Sequence, residues 1–532
     1  MLTNAAVPCR YADHPMTNYH RRFFSLVDHI ETTFPVADWR VGDVPVWPLA
    51  RTALYSNIYL QGAGREPALV TRRNGLASRI GSAVADVATP IVNIWRSRGD
   101  LRHVVLAPRR ASALFLGDGS SLDRVNGAWR DRFCDPLINQ MHACGASTLL
   151  MQRGNLPRVP ASRPTFAANT IVHWGRVLAG LRLSAGPAAS LAEHESVLKF
   201  LGQNAVSTFG LSEASLSDRA RAVSATALAF EQVLKIVRPE LCFMVGYFWG
   251  MGHALALACR RRGVLSIDLQ REGRSAEHEA YRWSAVPEDG YAILPAVFWT
   301  WTQADAAAIE TWTRRLKRPW HRSIHGGHPQ LSTWFDDNHP ETRAADARIS
   351  EIREAAPAER EILVTLQVLT GYEDEWKALA GFIEASPPRW RWWLRLHPNT
   401  SDPEDRGMGR IPALRRPNVV MDLPSSLPLP AVLRQMDVLV TATSGAAVDA
   451  SMFGVRSLFL SPVARDLHPH LFETGHAEIV PDMNTLEQRL LNLPRNTKTH
   501  VVQPDLSETL SRLAAMAEGY RELCLGARPA SE

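Results

Sequence analysis

Short apolar runs alternate with amphipathic stretches along most of the chain. An apolar run of about four to eight residues bounded by turn residues is typical of a buried strand, and apolar positions recurring every three or four residues are typical of a helix. Strands that alternate with helices predict parallel sheets. The apolar runs predict strands at 103–108, 147–151, 241–246, 264–270, 298–301, 361–367, 391–396 and 437–441. The amphipathic stretches predict helices at 126–143, 213–237, 304–316, 374–385, 445–453, 484–492 and 505–524.

The predicted elements fall into two α/β halves of similar size. Pro340, Pro357 and many charged residues lie between the halves, and we place a linker there. Two Rossmann-like domains in one chain predict a cleft enzyme whose ligand lies between the domains. The predicted organisation is an N-terminal, mostly helical extension at 1–99, a Rossmann-like domain for the acceptor at 100–335, a linker at 336–360, a nucleotide-sugar-binding Rossmann-like domain at 361–505, and a C-terminal helix and tail at 506–532.

Composition and charge favour an ordinary globular protein without nucleic acid as a partner. The formal net charge is +5, from 59 Lys and Arg against 54 Asp and Glu, which is a mild excess for 532 residues. The six cysteines form no C-x-x-C pair, which favours a reduced, cytoplasmic protein. The longest apolar run, 291–301, is about half the length needed to span a bilayer. We therefore expect a cytoplasmic protein that makes, at most, peripheral contact with the inner face of a membrane.

Polar residues gather where two predicted strands of the second half end. Residues 391–460 read as strand, loop, strand, helix, strand. Ligands of open parallel sheets bind outside the carboxyl ends of the strands, and the start of a helix offers free N–H groups to a phosphate. The alternatives are a turn histidine at 397 and a simple helix cap at 443 or 444. The predicted nucleotide-binding residues are Arg395, His397, Pro398, Asn399, Thr441, Thr443, Ser444 and Gly445.

These two strand ends resemble motifs of a known enzyme group. His397-Pro398 and Thr443-Ser444-Gly445 resemble the His-Pro and Ser/Thr motifs of bacterial glycosyltransferases of the GT-B fold. The similar enzymes are sialyl-, polysialyl- and Kdo transferases, which use CMP-sugars in capsule and lipopolysaccharide assembly. Further positions over roughly 38–480 are similar to capsule-type and O-antigen-type transferases, namely Trp47-Pro48, Arg51, Gln270, Gly273, Tyr281, Pro295 and Gly326-Gly327.

The resemblance implies a metal-independent, inverting glycosyltransferase. Its substrates are then a nucleotide-sugar donor, expected to be CMP-linked, and a surface polysaccharide or lipid-linked glycan acceptor, and no cofactor is needed. His397 is then a catalytic residue that pairs with the departing phosphate. Two other functions stay open. One is a CDP-polyol phosphotransferase of the teichoic-acid type, and the other is an inactive GT-B scaffold that binds nucleotide or glycan.

The catalytic base is expected at the end of the strand 264–270. Glu272 is the first candidate, because Glu272-Gly273 resembles the end of the acidic-acidic-Gly motif of some sialyltransferases. Asp289 and His278 are the alternatives, although Glu288-Asp289-Gly290 also fits a reverse turn. Related sequences read Gln-His-Gly at this strand end, and this chain has Arg271 after the glutamine. That departure keeps the inactive scaffold open as an alternative.

Two other polar patterns have structural explanations. The tryptophans at 390, 392 and 393 adjoin arginines, a pattern found in sugar or nucleic-acid sites, yet a strand packed on both faces explains it better. His325 and His328 flank two glycines without a cysteine or acidic partner at metal spacing. We therefore expect a loop there and no metal site.

Overall fold

The chain forms two compact units. The computed structural model describes residues 15–62, 110–125, 128–153, 163, 165–169, 171, 189–271, 278–366, 373–396, 416–494 and 501–526. The first unit comprises the described residues of 14–271, 275–329 and 504–532, and the second those of 330–503. The predicted strand at 103–108 and the site residues Glu272, His397, Pro398 and Asn399 lie outside the described residues.

The first unit is built on a parallel sheet of seven strands. Their order is β12-β11-β10-β9-β3-β6-β7, so the order reverses between β3 and β9. Two smaller antiparallel pairings, β2-β1-β8 and β4-β5, flank it. The strands are β1 (Arg40–Val41), β2 (Val44–Pro45), β3 (Ala113–Asp118), β4 (Leu122–Val125), β5 (Ala128–Asp131), β6 (Thr148–Arg153), β7 (Thr165–Ala167), β8 (Ala189–Ser190), β9 (Leu241–Val245), β10 (Leu265–Leu269), β11 (Val297–Thr300) and β12 (Arg322–His325).

Helices connect these strands, and capping residues mark where several of them begin or end. The hydroxyl of Ser212 caps α5 and that of Thr302 caps α7, and α6 ends at Gly263 in the left-handed region at φ 67°. Every residue of β9 and β10 is buried, as expected for strands covered by helices on both faces. The helices are α1 (Pro15–Thr33), α2 (Trp47–Gly62), α3 (Cys134–Ala143), α4 (His194–Gln203), α5 (Glu213–Val237), α6 (Gly250–Arg262) and α7 (Gln303–Thr313).

The N-terminal helices α1 and α2 belong to the core of the first unit. A buried carboxylate, Glu31 of α1, accepts hydrogen bonds from the Trp47 indole (2.8 Å) and the Arg51 guanidinium (2.6 Å) of α2. The same carboxylate accepts the backbone N–H of Ser284 at 2.7 Å, and Arg51 also donates to the carbonyl of Arg282. As far as it is described, the predicted extension at 1–99 is thus fastened to the loop that follows β10.

The second unit is built on a six-stranded parallel sheet with the order β15-β14-β13-β16-β17-β18. Its order reverses between β13 and β16, as in a doubly wound nucleotide-binding fold. The strands are β13 (Arg360–Thr365), β14 (Trp390–Arg395), β15 (Val419–Val420), β16 (Val438–Thr441), β17 (Arg456–Phe459) and β18 (Ala477–Ile479). The helices are α8 (Ser332–Phe335), α9 (Pro340–Ala355), α10 (Glu373–Ala385), α11 (Asp422–Ser426), α12 (Leu429–Leu433), α13 (Ala446–Met452), α14 (Ala464–Leu467), α15 (Pro469–Glu473) and α16 (Met483–Asn492).

The last helix, α17 (Leu506–Gly526), returns to the first unit. Tyr520 is buried there and contacts the ring of Trp320 edge-on, with 6.3 Å between ring centroids. The side chain of Arg521 lies against Gly263 at the end of α6. Helix α17 therefore packs against the first unit beside Trp320 and the end of α6. Its predicted bounds, 505–524, lie within two residues of the observed ones.

The predicted α/β class with two Rossmann-like domains and an N-terminal helical segment is confirmed. Two local expectations are corrected. The region 126–143 was expected to be helical throughout, but helix α3 begins only at Cys134, because Asp131 Oδ1 accepts the N–H groups of Phe133 (3.0 Å) and Cys134 (2.9 Å) and the preceding residues pair as β5. The predicted linker region 336–360 holds α9, whose residues Thr342, Ala345 and Ile349 are buried in the second unit.

Candidate functional site

The carboxyl ends of three neighbouring strands in the second unit bring three polar residues abreast. Thr365 of β13 is the register partner of Arg395 on one side and of Thr441 on the other. Thr365 Oγ1 donates to Thr441 Oγ1 at 2.9 Å, with both threonines buried. This pair spans the point where the strand order reverses, which is where open α/β sheets bind ligands.

The turn that follows β16 is held by its own hydroxyl groups. Thr441 Oγ1 accepts the backbone N–H of Ser444 at 3.4 Å, and Ser444 Oγ accepts that of Ala446 at 3.2 Å. Gly445 is exposed, and Thr443 and Ser444 are half-buried. The interpretation of Ser444 as a helix cap thus has support, and Gly445 is the exposed residue of the turn.

A buried histidine fixes the carbonyl side of this turn. His468 Nε2 lies 3.2 Å from the carbonyl oxygen of Thr443 and donates to it when Nε2 carries the proton. Its ring is stacked on Phe459 of β17, with 5.5 Å between centroids and 18° between planes. Sequence reasoning missed His468, since nothing near it in the chain points to the turn at 443–445.

At least one guanidinium nitrogen of Arg395 is used in hydrogen bonds within the fold. Its Nη1 donates to the carbonyl oxygens of Pro424 and Leu427, the latter at 2.6 Å. Next to it, the N–H of Leu396 donates to Ser425 Oγ at 3.1 Å. These bonds attach the end of β14 to α11 and to Leu427, which follows it, so Arg395 positions the end of this strand.

The tryptophan-rich strand β14 is packed on both faces, as expected. Its three tryptophans are at most 1% exposed. Glu361 of the neighbouring strand accepts the Trp393 indole N–H at 2.6 Å and bonds to Arg391 (3.0 Å) and Arg353 (3.1 Å). Burial raises the pKa of Glu361, although these three partners act to lower it. The aromatic and basic residues here build the sheet and present no stacking surface.

The first unit has a second polar group of residues at its own strand reversal. Asp118, at the end of β3, pairs with Arg153 at the end of β6 and with Arg271 after β10, the latter at 3.0 Å. Arg271 Nη2 also donates to Ser120 Oγ at 2.9 Å. Burial alone raises the pKa of Asp118, but the Ser120 N–H and the two guanidinium groups bring it below its ordinary value. Asp118 is therefore ionised at neutral pH.

A buried carboxylate lies beside this group. Asp131 Oδ2 accepts the Gln152 Nε2 N–H at 3.1 Å, and burial raises the pKa of Asp131 to about 6. Both side chains press on Gly117, where an added Cβ is only 2.3 Å from Asp131 Oδ2 and from Gln152 Oε1. Only glycine fits at 117 with this pair in place. Sequence reasoning missed this site because β3 was not predicted.

The loop after β9 is fixed by another buried carboxylate. Asp268 Oδ1 accepts the N–H of Tyr247 and Oδ2 accepts the hydroxyl of Tyr281, both at 2.8 Å. Burial raises the pKa of Asp268 to about 7 against these hydrogen bonds. Tyr281, one of the positions of the resemblance, thus positions the turn at Gly246, whose φ is 69°.

Asp289 and His278, the two candidate bases within the described residues, both make hydrogen bonds that hold the local fold. Asp289 Oδ1 accepts the Trp320 indole N–H at 3.3 Å, and Gly290 donates to the carbonyl of Pro287 at 2.8 Å in the reverse turn that was the alternative interpretation. Trp320 lies two residues before β12, so Asp289 lies by the amino end of that strand. His278 is 8% exposed, and its Nδ1 accepts the N–H of Ala280 at 3.1 Å. Glu272 lies outside the described residues.

The described ranges contain neither a cluster of metal ligands nor a membrane-spanning helix. In that part of the chain no group of three His, Cys, Asp or Glu residues is placed to hold a metal ion. His325 and His328 lie on either side of the Gly326-Gly327 turn, where Gly326 packs against the ring of Trp299. Among the described helices none is long and apolar enough to cross a membrane.

Comparison with known proteins gives distant structural likenesses. No protein-family model and no curated sequence matches the chain. A UDP-GlcNAc 2-epimerase from Neisseria meningitidis is 12% identical, with 76% of this chain and 99% of that one covered and a TM-score of 0.45. The S. aureus protein MnaA, in a structure with UDP, is 13% identical over 79% and 99%, with a TM-score of 0.46. The glycosyltransferase SnogD from Streptomyces nogalater is 14% identical over 78% and 95%, with a TM-score of 0.34.

At these values the likenesses carry no argument about activity. The fold rests on the two doubly wound parallel sheets, each with its strand reversal next to its first strand. Two Rossmann-like units in one chain agree with the α/β fold class that the sequence predicts.

Proposed function

We propose that the protein is a glycosyltransferase that binds a nucleotide-activated sugar on its second unit. One observation carries the proposal: the Thr365–Thr441 pair lies at the strand reversal and is followed directly by the turn Thr443-Ser444-Gly445. Nucleotides bind at this position in doubly wound sheets, because loops from both sides of the reversal leave a crevice there. The helix that follows, α13, has only seven residues, so side-chain and turn contacts matter more than its dipole.

The residues of this site divide into two roles. Thr441 and Arg395 are engaged in bonds that shape the strand ends, and they position the site. Thr443, Ser444 and Gly445 are assigned to the phosphate oxygens of the donor, which side-chain hydroxyls and backbone N–H groups bind. A hydroxyl that accepts a cap bond can still donate its own hydrogen. Ser444 therefore caps α13 and contacts phosphate at once.

The proposed donor is a CMP-linked sugar, and the proposed acceptor is a surface polysaccharide or lipid-linked glycan. Support comes from the resemblance of His397-Pro398 and the Ser/Thr turn to motifs of CMP-sugar-dependent transferases. In the sequence, His397 and Asn399 come shortly after the last residue of β14, the strand next to β13. His397 in its protonated form pairs with the departing phosphate.

The proposed base is Glu272, three residues after the last residue of β10. A carboxylate there accepts the proton of the acceptor hydroxyl as the glycosidic bond forms and the nucleotide leaves. Asp289 is a poorer base, because its side chain accepts an indole N–H in a reverse turn. The inactive-scaffold alternative makes a different prediction. Such a protein binds nucleotide or glycan but transfers no sugar, so Glu272→Gln has no turnover to reduce.

Calorimetric titration of the full chain with CMP, CDP, UDP and GDP tests the donor site. We expect CMP to bind most tightly, and Ser444→Ala to weaken CMP binding about fivefold, since one hydrogen bond to a charged oxygen is lost. His397→Ala is expected to weaken it at least as much. Ser511→Ala, an equivalent change on the exposed face of α17, is the matched control.

Two results oppose the proposal. If none of the four nucleotides binds, or if Ser444→Ala and His397→Ala both bind CMP like the unaltered protein, the site is elsewhere. A preference for CDP over CMP, with transfer of a polyol phosphate and no sugar transfer, selects the phosphotransferase.

A further inference from the structure

We propose that the first unit binds a negatively charged sugar through Arg153, Arg271 and Trp249 at the carboxyl edge of its sheet. This inference deepens the proposed function, on which it rests, by naming the chemical class of the acceptor. The group of residues Asp118, Arg153, Arg271 and Trp249 is called the edge cluster below. It lies at the strand reversal between β3 and β9, the position where a doubly wound sheet binds its ligand.

Strand register brings the edge cluster together. Asp118 and Arg153 are the last residues of β3 and β6 and are direct register partners. Arg271 follows β10, two strands away from β3, and reaches Asp118 Oδ2 at 3.0 Å. Trp249 precedes α6, and the guanidinium carbon of Arg153 lies 5.3 Å from the centre of its ring. Four separate chain segments thus converge on one edge.

The charges of the edge cluster do not cancel. One carboxylate faces two guanidinium groups, which leaves one positive charge on the cluster. The side chains of Arg153 and Arg271 keep 21% and 23% of their surface exposed, whereas that of Asp118 keeps 10%. The surplus positive charge therefore faces outward. A guanidinium group presents several N–H donors in one plane, which suits a carboxylate or phosphate.

An exposed aromatic ring completes the cluster. Trp249 is 45% exposed, which is high for a tryptophan in a chain where most of them are buried. The apolar C–H face of a pyranose packs on such a ring, much as other apolar groups do. Helix α6 begins after Trp249 without a side-chain cap, and a Cβ built on Gly250 meets no atom within 4 Å. The start of this 13-residue helix is thus open and adds partial positive charge to the cluster.

A buried polar atom beside the cluster lacks a partner. Gln152 precedes Arg153 in β6 and is 0% exposed, and its Oε1 has no hydrogen-bond partner among the described residues. The same holds for Ser121 Oγ, three residues after Asp118. Buried polar atoms are normally hydrogen-bonded, and exceptions gather at binding sites.

The competing explanation is an ion-pair network that only stabilises the fold. Partly exposed ion pairs contribute little to stability. A structural network also gives no reason for an exposed indole packed against the guanidinium of Arg153. The two explanations differ in what substitution changes. A structural network changes stability, and a ligand site changes binding while the fold persists.

The test is calorimetric titration of the full chain with three sugars. The probes are a hyaluronan tetrasaccharide, which carries carboxylates, glucose 6-phosphate, which carries a phosphate, and neutral cellotetraose. We expect at least one anionic probe to bind more tightly than cellotetraose. Arg153→Gln and Arg271→Gln are each expected to weaken that binding about tenfold or more, since a charged hydrogen-bonded pair is lost. Trp249→Ala is expected to weaken binding of all three sugars.

Controls separate binding from folding. Arg221→Gln removes an exposed arginine of α5 that pairs with Asp218, and it is expected to leave all affinities unchanged. Arg153→Lys keeps the charge without the planar fork, so we expect an affinity between those of the unaltered protein and Arg153→Gln. It serves as the second variant if Arg153→Gln does not fold, as judged by circular dichroism.

The outcomes are distinct for the two proposals. The edge cluster is not an anion site if both anionic probes bind no more tightly than cellotetraose, or if the two arginine variants bind them like the unaltered protein. A preference for the tetrasaccharide indicates a carboxylate-bearing sugar, and a preference for glucose 6-phosphate a phosphate-bearing one. CMP affinity is expected to be unchanged in the arginine variants. If the unaltered protein binds an anionic probe but not CMP, the proposed donor site is wrong and the edge cluster stands.

Discussion

Thr365 and Thr441 share a hydrogen bond of 2.9 Å between their hydroxyl groups, across two parallel strands at which the order of the second sheet reverses. Thr441 passes the connection on to the backbone N–H of Ser444. The two hydroxyls therefore link the ends of the first and fourth strands of the sheet to the turn that we propose binds phosphate.

Breaking this link is expected to affect both stability and nucleotide binding. Thr441→Val keeps the volume and loses the bonds to Thr365 and Ser444, so we expect unfolding in urea to show a loss of about 1–3 kcal/mol. CMP affinity is expected to fall about threefold or more, since the turn loses a support. The double variant with Thr365→Val is expected to lose less than the sum of the single changes, since they remove the same bond. Additive losses contradict the coupling.

The hydrogen bond between His468 and the Thr443 carbonyl is expected to hold the turn at 443–445 in the conformation that binds nucleotide. His468→Phe keeps the stack on Phe459 and loses the bond to the Thr443 carbonyl. We expect CMP affinity to drop severalfold with only about 1 kcal/mol of lost stability, because one neutral hydrogen bond is removed. His476→Phe, a change at a partly exposed position bonded to Thr474, is the control. Equal CMP affinity in both variants shows that His468 has no part in the site.

Gly117 is expected to tolerate no side chain. An added Cβ is 2.3 Å from two buried oxygens, so Gly117→Ala forces Asp131 and Gln152 apart and is expected to cost about 1–3 kcal/mol of stability. Gly202→Ala, in α4 with no atom within 4 Å of the new Cβ, is the matched control and is expected to be neutral or stabilising. Chemical denaturation of both variants measures the difference. Equal stability of the two variants means that the Asp131–Gln152 pair yields easily.

The stability contributed by Asp268 is expected to depend on pH. Burial raises the pKa of Asp268 in the folded chain to about 7, above the ordinary 3.8 of an aspartate, so its stabilising contribution is fully present at low pH and is lost as pH rises through 7. Asp268→Asn lacks this titration. The stability advantage of the unaltered protein over the variant is therefore expected to shrink between pH 4.5 and pH 8. Urea unfolding of both proteins across that range measures it, and contributions from other groups cancel in the difference.

Exposed Asp218→Asn provides the comparison for that experiment, because its side chain is 74% exposed. This change removes an exposed carboxylate far from the bonds that Asp268 makes to Tyr247 and Tyr281. A difference for Asp268→Asn that stays constant or widens as pH rises contradicts the assignment of a raised pKa.

Elements were predictable where a local pattern determined them. Helix α5 runs from Glu213 to Val237 as predicted, since Ser212 caps it and its apolar positions repeat regularly. Strands β9 and β10 were predicted because both are continuous apolar runs. Strand β3 was missed, because an apolar run ten residues earlier carried the stronger pattern. The two Rossmann-like units follow from such local signals added together.

The sites were less predictable because they depend on contacts between distant residues. The turn at 443–445 could be recognised from adjacent residues, yet its supports Thr365 and His468 come from elsewhere in the chain. The edge cluster joins Asp118, Arg153 and Arg271 only through strand order. Trp47 and Arg51 were interpreted through a resemblance, and they are bonded to buried Glu31. Short motifs could not reveal that structural role.

Hydrogen exchange measured by mass spectrometry, with and without CMP, tests the central claim most directly. Peptides covering Thr443 to Ala447 are expected to become protected on CMP addition in the unaltered protein, because bound phosphate immobilises the turn. In Thr441→Val the protection is expected to be smaller at the same CMP concentration. Saturating CMP that protects other parts of the second unit and leaves 443–447 unchanged contradicts the claim that this turn holds the donor.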